Sequence, residues 1–175
     1  VHPLLAGVEL LESEDLMAVP VEVRGKVQTI GGIVKTPFQT VPGIGTGVAY
    51  VAGDALGSKF EIPVPLSGTI HVAIMLDKDD EGIETDLVLF VNDFTATADN
   101  AAFDVSDTDL ENFLSTITFA TFKNFASNQI SAAAALGLAY IAPQHKLWAQ
   151  MVTRGAPNIA AGNQPMISLT ILSDE

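Results

Sequence analysis

The sequence predicts an all-β fold, an antiparallel β-sandwich or jelly roll, on three observations. Apolar residues alternate with period two in several runs. Glycine and proline clusters separate those runs at ~8–12-residue spacing. Helical periodicity is scarce. A chain of 175 residues that is 48% hydrophobic is long enough to bury a sizeable core and too apolar for a disordered polymer. The expected organisation is an arm or short helix over residues 1–17, then a single β-sandwich domain over 18–175.

In chain order, Leu4, Val8 and Leu11 fall at helical spacing beside Glu9, Glu12 and Glu14, as in a short amphipathic helix or a docking arm. Val19, Val21 and Val23 then alternate with Pro20, Glu22 and Arg24, the pattern of a half-buried strand. Gly31-Gly32 and the run from Pro42 to Gly47 read as turns, the second leading into a strand over Val48–Val51. Pro63 and Pro65 place the strand over Phe60–Leu66 at a sheet edge, because proline cannot donate to a ladder. In Thr69–Leu76, alternation puts Ile70, Val72, Ile74 and Leu76 on one face. Leu87–Val91 is continuously apolar, as in a strand covered on both sides. The acidic residues between these two strands read as a solvated hairpin tip. Ser106, followed by Asp107 and Asp109, caps a short helix near 107–114. The alanines at 132–135 suit a helix, but their flanks are β-like. Ile167, Leu169 and Ile171 alternate with Ser168, Thr170 and Leu172 in a final strand.

Composition removes several functions. The formal charge of −13 argues against a nucleic-acid-binding domain, which needs a basic face. The absence of cysteine excludes a disulfide framework, a thiolate metal site and a cysteine nucleophile. The charge is uneven. Residues 1–15 hold four acids and no base, residues 77–111 hold twelve acids against Lys78, and residues 112–173 hold no acid. A weakly charged stretch either faces another subunit, since interface cores are depleted in charge, or is buried on both faces. The uncharged stretch Asn124–His145 contains only 13 strongly apolar residues, Ile130–Ala142, against the ~20 that a spanning helix needs, so no membrane partner is expected. The start at Val1-His2-Pro3 lacks the basic n-region of a secretory signal.

No motif carries chemistry. His2, His71 and His145 form no ligand pair, and His71 reads as a surface imidazole. Gly43-Ile44-Gly45-Thr46-Gly47 lacks the Gly-Lys-Ser/Thr ending of a phosphate loop. No Gly-x-Ser-x-Gly elbow occurs, and the Ser58-Lys59 pair would point to opposite faces of a strand. Asp77–Asp86 resembles the start of an EF-hand loop, yet its twelfth position is Val88, where a bidentate glutamate is required. A looser calcium site in that loop stands against a purely solvated turn. Paired carboxylates for glycoside hydrolysis have no definable geometry in so dense an acidic block. Tyr50, Tyr140 and Trp148 are the few polar-tipped aromatics available for stacking on sugar. The expectation is therefore a non-enzyme, with no catalytic, cofactor-binding or metal-binding residue and no cofactor.

From Tyr50 onward the chain resembles a group of tailed-bacteriophage virion structural proteins. The resemblance rests on Tyr50–Gly57, on Ser67-Gly68 leading into Val72–Asp77, on Asp86–Phe90 and on Asp99–Asp104. Leu147-Trp148 through Val152–Pro157, and the closing Ile167–Leu172, complete it. It covers about residues 48–173, through strand-and-turn patterns. It departs at Asn158–Asn163, where a spacer of small hydroxyl residues is usual. The resemblance implies a non-enzymatic β-sandwich subunit that binds the capsid shell as a decoration (cement) protein. The implied partners are the major capsid protein and further copies of the chain, as a homo-oligomer such as a trimer. It also implies synthesis in the bacterial cytoplasm and residence on the capsid surface. A neck or tail component, or a virion carbohydrate- or receptor-binding module, is the alternative.

Overall fold

The computed structural model describes residues 32–175; the arm or helix expected over 1–17 and the strand expected at 19–24 lie outside the described residues. The alternating segments pair into two antiparallel sheets. The strands are β1 (Ile33–Lys35), β2 (Gln39–Thr40), β3 (Ala55–Pro63), β4 (Ser67–Asp77), β5 (Thr85–Phe90), β6 (Phe113–Phe119), β7 (Phe122–Asn124), β8 (Gln129–Ile141), β9 (Lys146–Thr153) and β10 (Met166–Ser173), with a short helix α1 (Asp107–Leu110) before β6. One sheet runs β1-β10-β4-β8-β7, with β2 also on β10; the other runs β3-β9-β5-β6. Ile70, Ile167, Leu169 and Ile171 of the first sheet and Ile62, Leu87, Leu89, Phe119, Leu147 and Met151 of the second belong to one fully buried cluster. Each such side chain contributes ~1.5–3 kcal/mol by leaving water, which makes this core the main stabilising term. The fold class and the three closing apolar positions are those the alternation predicts.

Alternation fails in β4. Ile70 points inward, but the next buried residues are Ala73, Met75 and Asp77, and Val72, Ile74 and Leu76 are only partly buried on the outer face. The cause is a bulge. Ile70 lies opposite Ile171 and Val72 opposite Thr170, consecutive residues of β10, so His71 is one extra residue in β4 on that side. On the β8 side it stands against the three residues Ala135–Gly137. Ala135 (φ 56°) and Gly137 (φ 63°) take left-handed conformations there. An odd-residue insertion moves every following side chain to the opposite face.

Four further expectations are corrected. The alanines do not form helix: Ala132, Ala133 and Ala134 pair with Ile74, Ala73 and Val72, and the β4 ladder overrides their helix propensity. The helix is a single turn, with Ser106 Oγ accepting from Asp109 N–H, and Phe113 and Leu114 already belong to β6. Val48–Val51 is not a strand, because Tyr50 is buried by its phenol contacts and Val51 N–H donates to Asp54 instead of to a ladder. The acidic loop is no hairpin tip, since β4 and β5 lie in different sheets and the loop crosses between them. By contrast, β3 is an edge strand, as its prolines require, and all six residues of β5 are buried.

Candidate functional site

β5 is buried twice because the chain doubles back over it. Leu87 and Leu89 face the main core, whereas Val88 and Phe90 face outward and are covered by the connection 91–112. Phe94 stacks on Phe90 with ring centroids 4.1 Å apart, and Phe113 meets the same ring edge-on at 6.0 Å. This strap is tied down along its length. Thr97 N–H donates to Gln150 Oε1, and Gln150 Nε2 donates to the carbonyls of Thr97 (2.7 Å) and Gly57 (3.0 Å). Lys59 Nζ bonds Asp93 and the carbonyl of Phe94, while Asp109 accepts from Thr95 N–H and Ser106 Oγ. The Lys59 ammonium beside Asp93 holds that carboxyl below its usual range, mainly through their hydrogen bond.

Asp99 is the strap's anchor to the glycine-rich turn. Its carboxylate accepts from Tyr50 Oη (2.9 Å), Gly45 N–H (2.9 Å) and Gly57 N–H (2.6 Å). One amide of the glycine run that suggested a phosphate loop, that of Gly45, therefore binds an internal carboxylate. Burial, reinforced by Asp99, pushes the Tyr50 phenol pKa well up; burial and then Glu175 and Asp174 do the same to Tyr140. The folded chain thus keeps both phenolic protons beyond the pH, about 10, at which an unfolded chain releases them. Stability is full below that pH and falls as pH rises through the raised values, by at most about 1.4 kcal/mol per pH unit for each tyrosine. Urea titrations at pH 9, 10 and 11 are expected to show this loss, and Tyr50→Phe to about halve its slope.

Between strap and sheet lies an open groove of about 440 Å³. Phe90, Phe103, Val105, Phe113 and Val152 line it, and Asp104 and Arg154 stand among its polar edge residues. Arg154 grips buried Asp86 through Nε and a guanidinium nitrogen, and Thr118 Oγ1 donates to the same carboxylate at 2.6 Å. Leu110 and Phe113 remain 48% and 45% exposed at the opening. The strap contributes six acids and no base over residues 91–112. Such a groove can receive an apolar side chain from a partner whose flanking charge is positive. Sequence reasoning missed it, although Phe94, Phe103 and Val105 are conspicuous apolar residues in an acidic stretch.

The other sequence candidates are dispersed. His71 is exposed at the β4 bulge, His145 sits in the β8–β9 turn, and His2 lies outside the described residues. Ser58 is exposed, and Lys59 is engaged with Asp93. Tyr50 and Tyr140 are buried, and the Trp148 ring has Lys59 and Lys146 ammonium groups 5.1 and 4.5 Å from its centre. In the acidic loop, Asp77 accepts from Asp79 N–H, Gly82 N–H and Gln129. Asp79 accepts from Ala160 N–H and Asn163, and Asp80 from Asn124. These acids stitch neighbouring loops together, and among the described residues no three metal-ligating side chains converge. EDTA is accordingly expected to leave the melting temperature unchanged; a fall of several degrees would revive the calcium site. The chain matches no protein-family model, no curated protein and no solved structure.

Proposed function

We propose that the protein is a non-enzymatic structural subunit of a bacteriophage virion that binds the major capsid protein as a decoration (cement) subunit, with its own copies beside it. The observation that carries this reading is the aromatic groove under the strap, with two exposed apolar residues at its opening and acids around it. That combination suits docking of a basic, apolar-tipped protein surface and offers no nucleophile paired with a base. Contacts between copies are favoured by the outer face of the larger sheet. Over β10, β4 and β8 its rows Thr170–Val72–Ala134, Ser168–Ile74–Ala132 and Met166–Leu76–Ile130 carry no charge, which enters only at the flanking Lys35 of β1 and Lys123 of β7. For a sugar-binding module, by contrast, two of the three candidate aromatics are buried.

The test is rebinding of purified protein to particles stripped of it. Phe113→Asp changes a half-exposed residue, so the fold is retained, as circular dichroism will report. Loss of a central anchor of about 2 kcal/mol weakens binding roughly 30-fold. Unchanged rebinding by this variant contradicts the groove as the docking site.

A further inference from the structure

β8 has 13 residues, and β7 pairs only with Gln129–Ser131 on its outer side. Ala132–Ile141 therefore has no outer strand among the described residues. Ala142 N–H donates to the carbonyl of Leu66, so Ala139 and Ile141, which alternate with it, turn their N–H and C=O groups away from β4. Edges of this kind are ordinarily blunted by lysine, proline or a cover. Here the edge holds only alanine, leucine, glycine, tyrosine and isoleucine, with Ile141 67% exposed.

Beside this edge the two sheets part in a mouth of about 560 Å³, walled by Val91, Leu114, Tyr140 and Ile141 and rimmed by Asp174. Tyr140 is only 5% exposed, and its buried Oη has no partner. Leaving a buried hydroxyl unpaired costs ~1–3 kcal/mol. An added backbone strand would bring the carbonyls that both the phenol and the outward amides need.

The chain itself carries a segment of the right kind and reach. Ala18–Arg24 alternates Val19, Val21 and Val23, and Arg24 and Lys26 suit the acids Asp174 and Glu175. Gly32 accepts from Ser173 N–H, Ser173 pairs with Gly68, and Gly68 with Tyr140, so the described chain begins on the same cross-strand row as the mouth. From β1 to a strand added beyond β8 is four strand spacings, about 19 Å. Eight residues from Arg24 to Gly32 extend to about 26–29 Å.

We propose that the outer edge of β8 from Leu138 to Ile141, with the mouth beside it, is a strand-acceptor site whose occupant is the chain's own segment 18–24. The site is independent of the capsid reading. Because the chain has no cysteine, crosslinking is clean. Pro20→Cys, Val21→Cys or Glu22→Cys is combined with Ala139→Cys or Ile141→Cys and oxidised at low protein concentration. The expected result is that at least one pair closes within a single chain, as an intact mass 2 Da lower on an unlinked monomer. Failure of every pair, or linkage only between chains, overturns the proposal. Independently, deletion of residues 1–25 is expected to speed amide exchange at Ala139 and Ile141 at least tenfold. Unchanged exchange would also overturn it.

Discussion

Gly57→Ala is expected to be among the most destabilising single changes, lowering stability by about 2–5 kcal/mol. Gly57 sits in the β3 irregularity between Leu56 and Phe60 at φ +75°, where an L side chain is strained. An added Cβ would lie 2.4 Å from the carbonyl oxygen of Pro42 and 2.9 Å from Ile44 Cγ1. Backbone oxygen cannot swing aside, so the turn 42–45 must shift. That shift pulls Gly57 N–H off Asp99 and Gly57 C=O off Gln150, loosening two anchors of the strap. Gly47→Ala separates the causes: at φ +67° with nothing within 4 Å, it carries only the backbone strain, about 1 kcal/mol. Urea midpoints of the two variants make the comparison, and equal midpoints would refute the steric account.

Gln150→Ala is the second large effect, with an expected loss of about 3 kcal/mol from a cavity and unpaired strap groups. Gln150 is fully buried and spends its amide on Gly57 and on both backbone groups of Thr97. Its removal leaves the part-buried N–H and carbonyl of Thr97 and the buried carbonyl of Gly57 without this partner. Exchange at Thr97 N–H should accelerate far more than exchange in β10. Because the strap forms one wall of the groove, particle binding should fall with it. A variant that loses stability uniformly, with strap exchange unchanged relative to the core, would show that Gln150 is not the strap's anchor.

Residue patterns told most where one strand face meets one core. Ile167, Leu169 and Ile171 point inward as their spacing requires, and Pro63 marks an edge. They told less where the structure depends on a distant partner. Nothing in Thr69–Leu76 announces a phase change at His71, because the bulge is set by pairing with distant strands, where Ile70 and Val72 meet the consecutive Ile171 and Thr170. Nor does local alternation say which sheet a strand joins, which is why the 77–86 crossing read as a hairpin. Gln150 looks like an outward position of an amphipathic strand; only the strap above β9 makes it buried. The acidic block proved to be two things: a loop whose Asp77, Asp79 and Asp80 bind neighbouring donors, and a strap that rims a groove.

Copy number in purified particles tests the central claim most directly. If the groove docks a repeating capsid surface, quantitative mass spectrometry will find the chain in a fixed, high ratio to the major capsid protein. Absence from the particle, or the handful of copies expected of a neck or tail part, would contradict it.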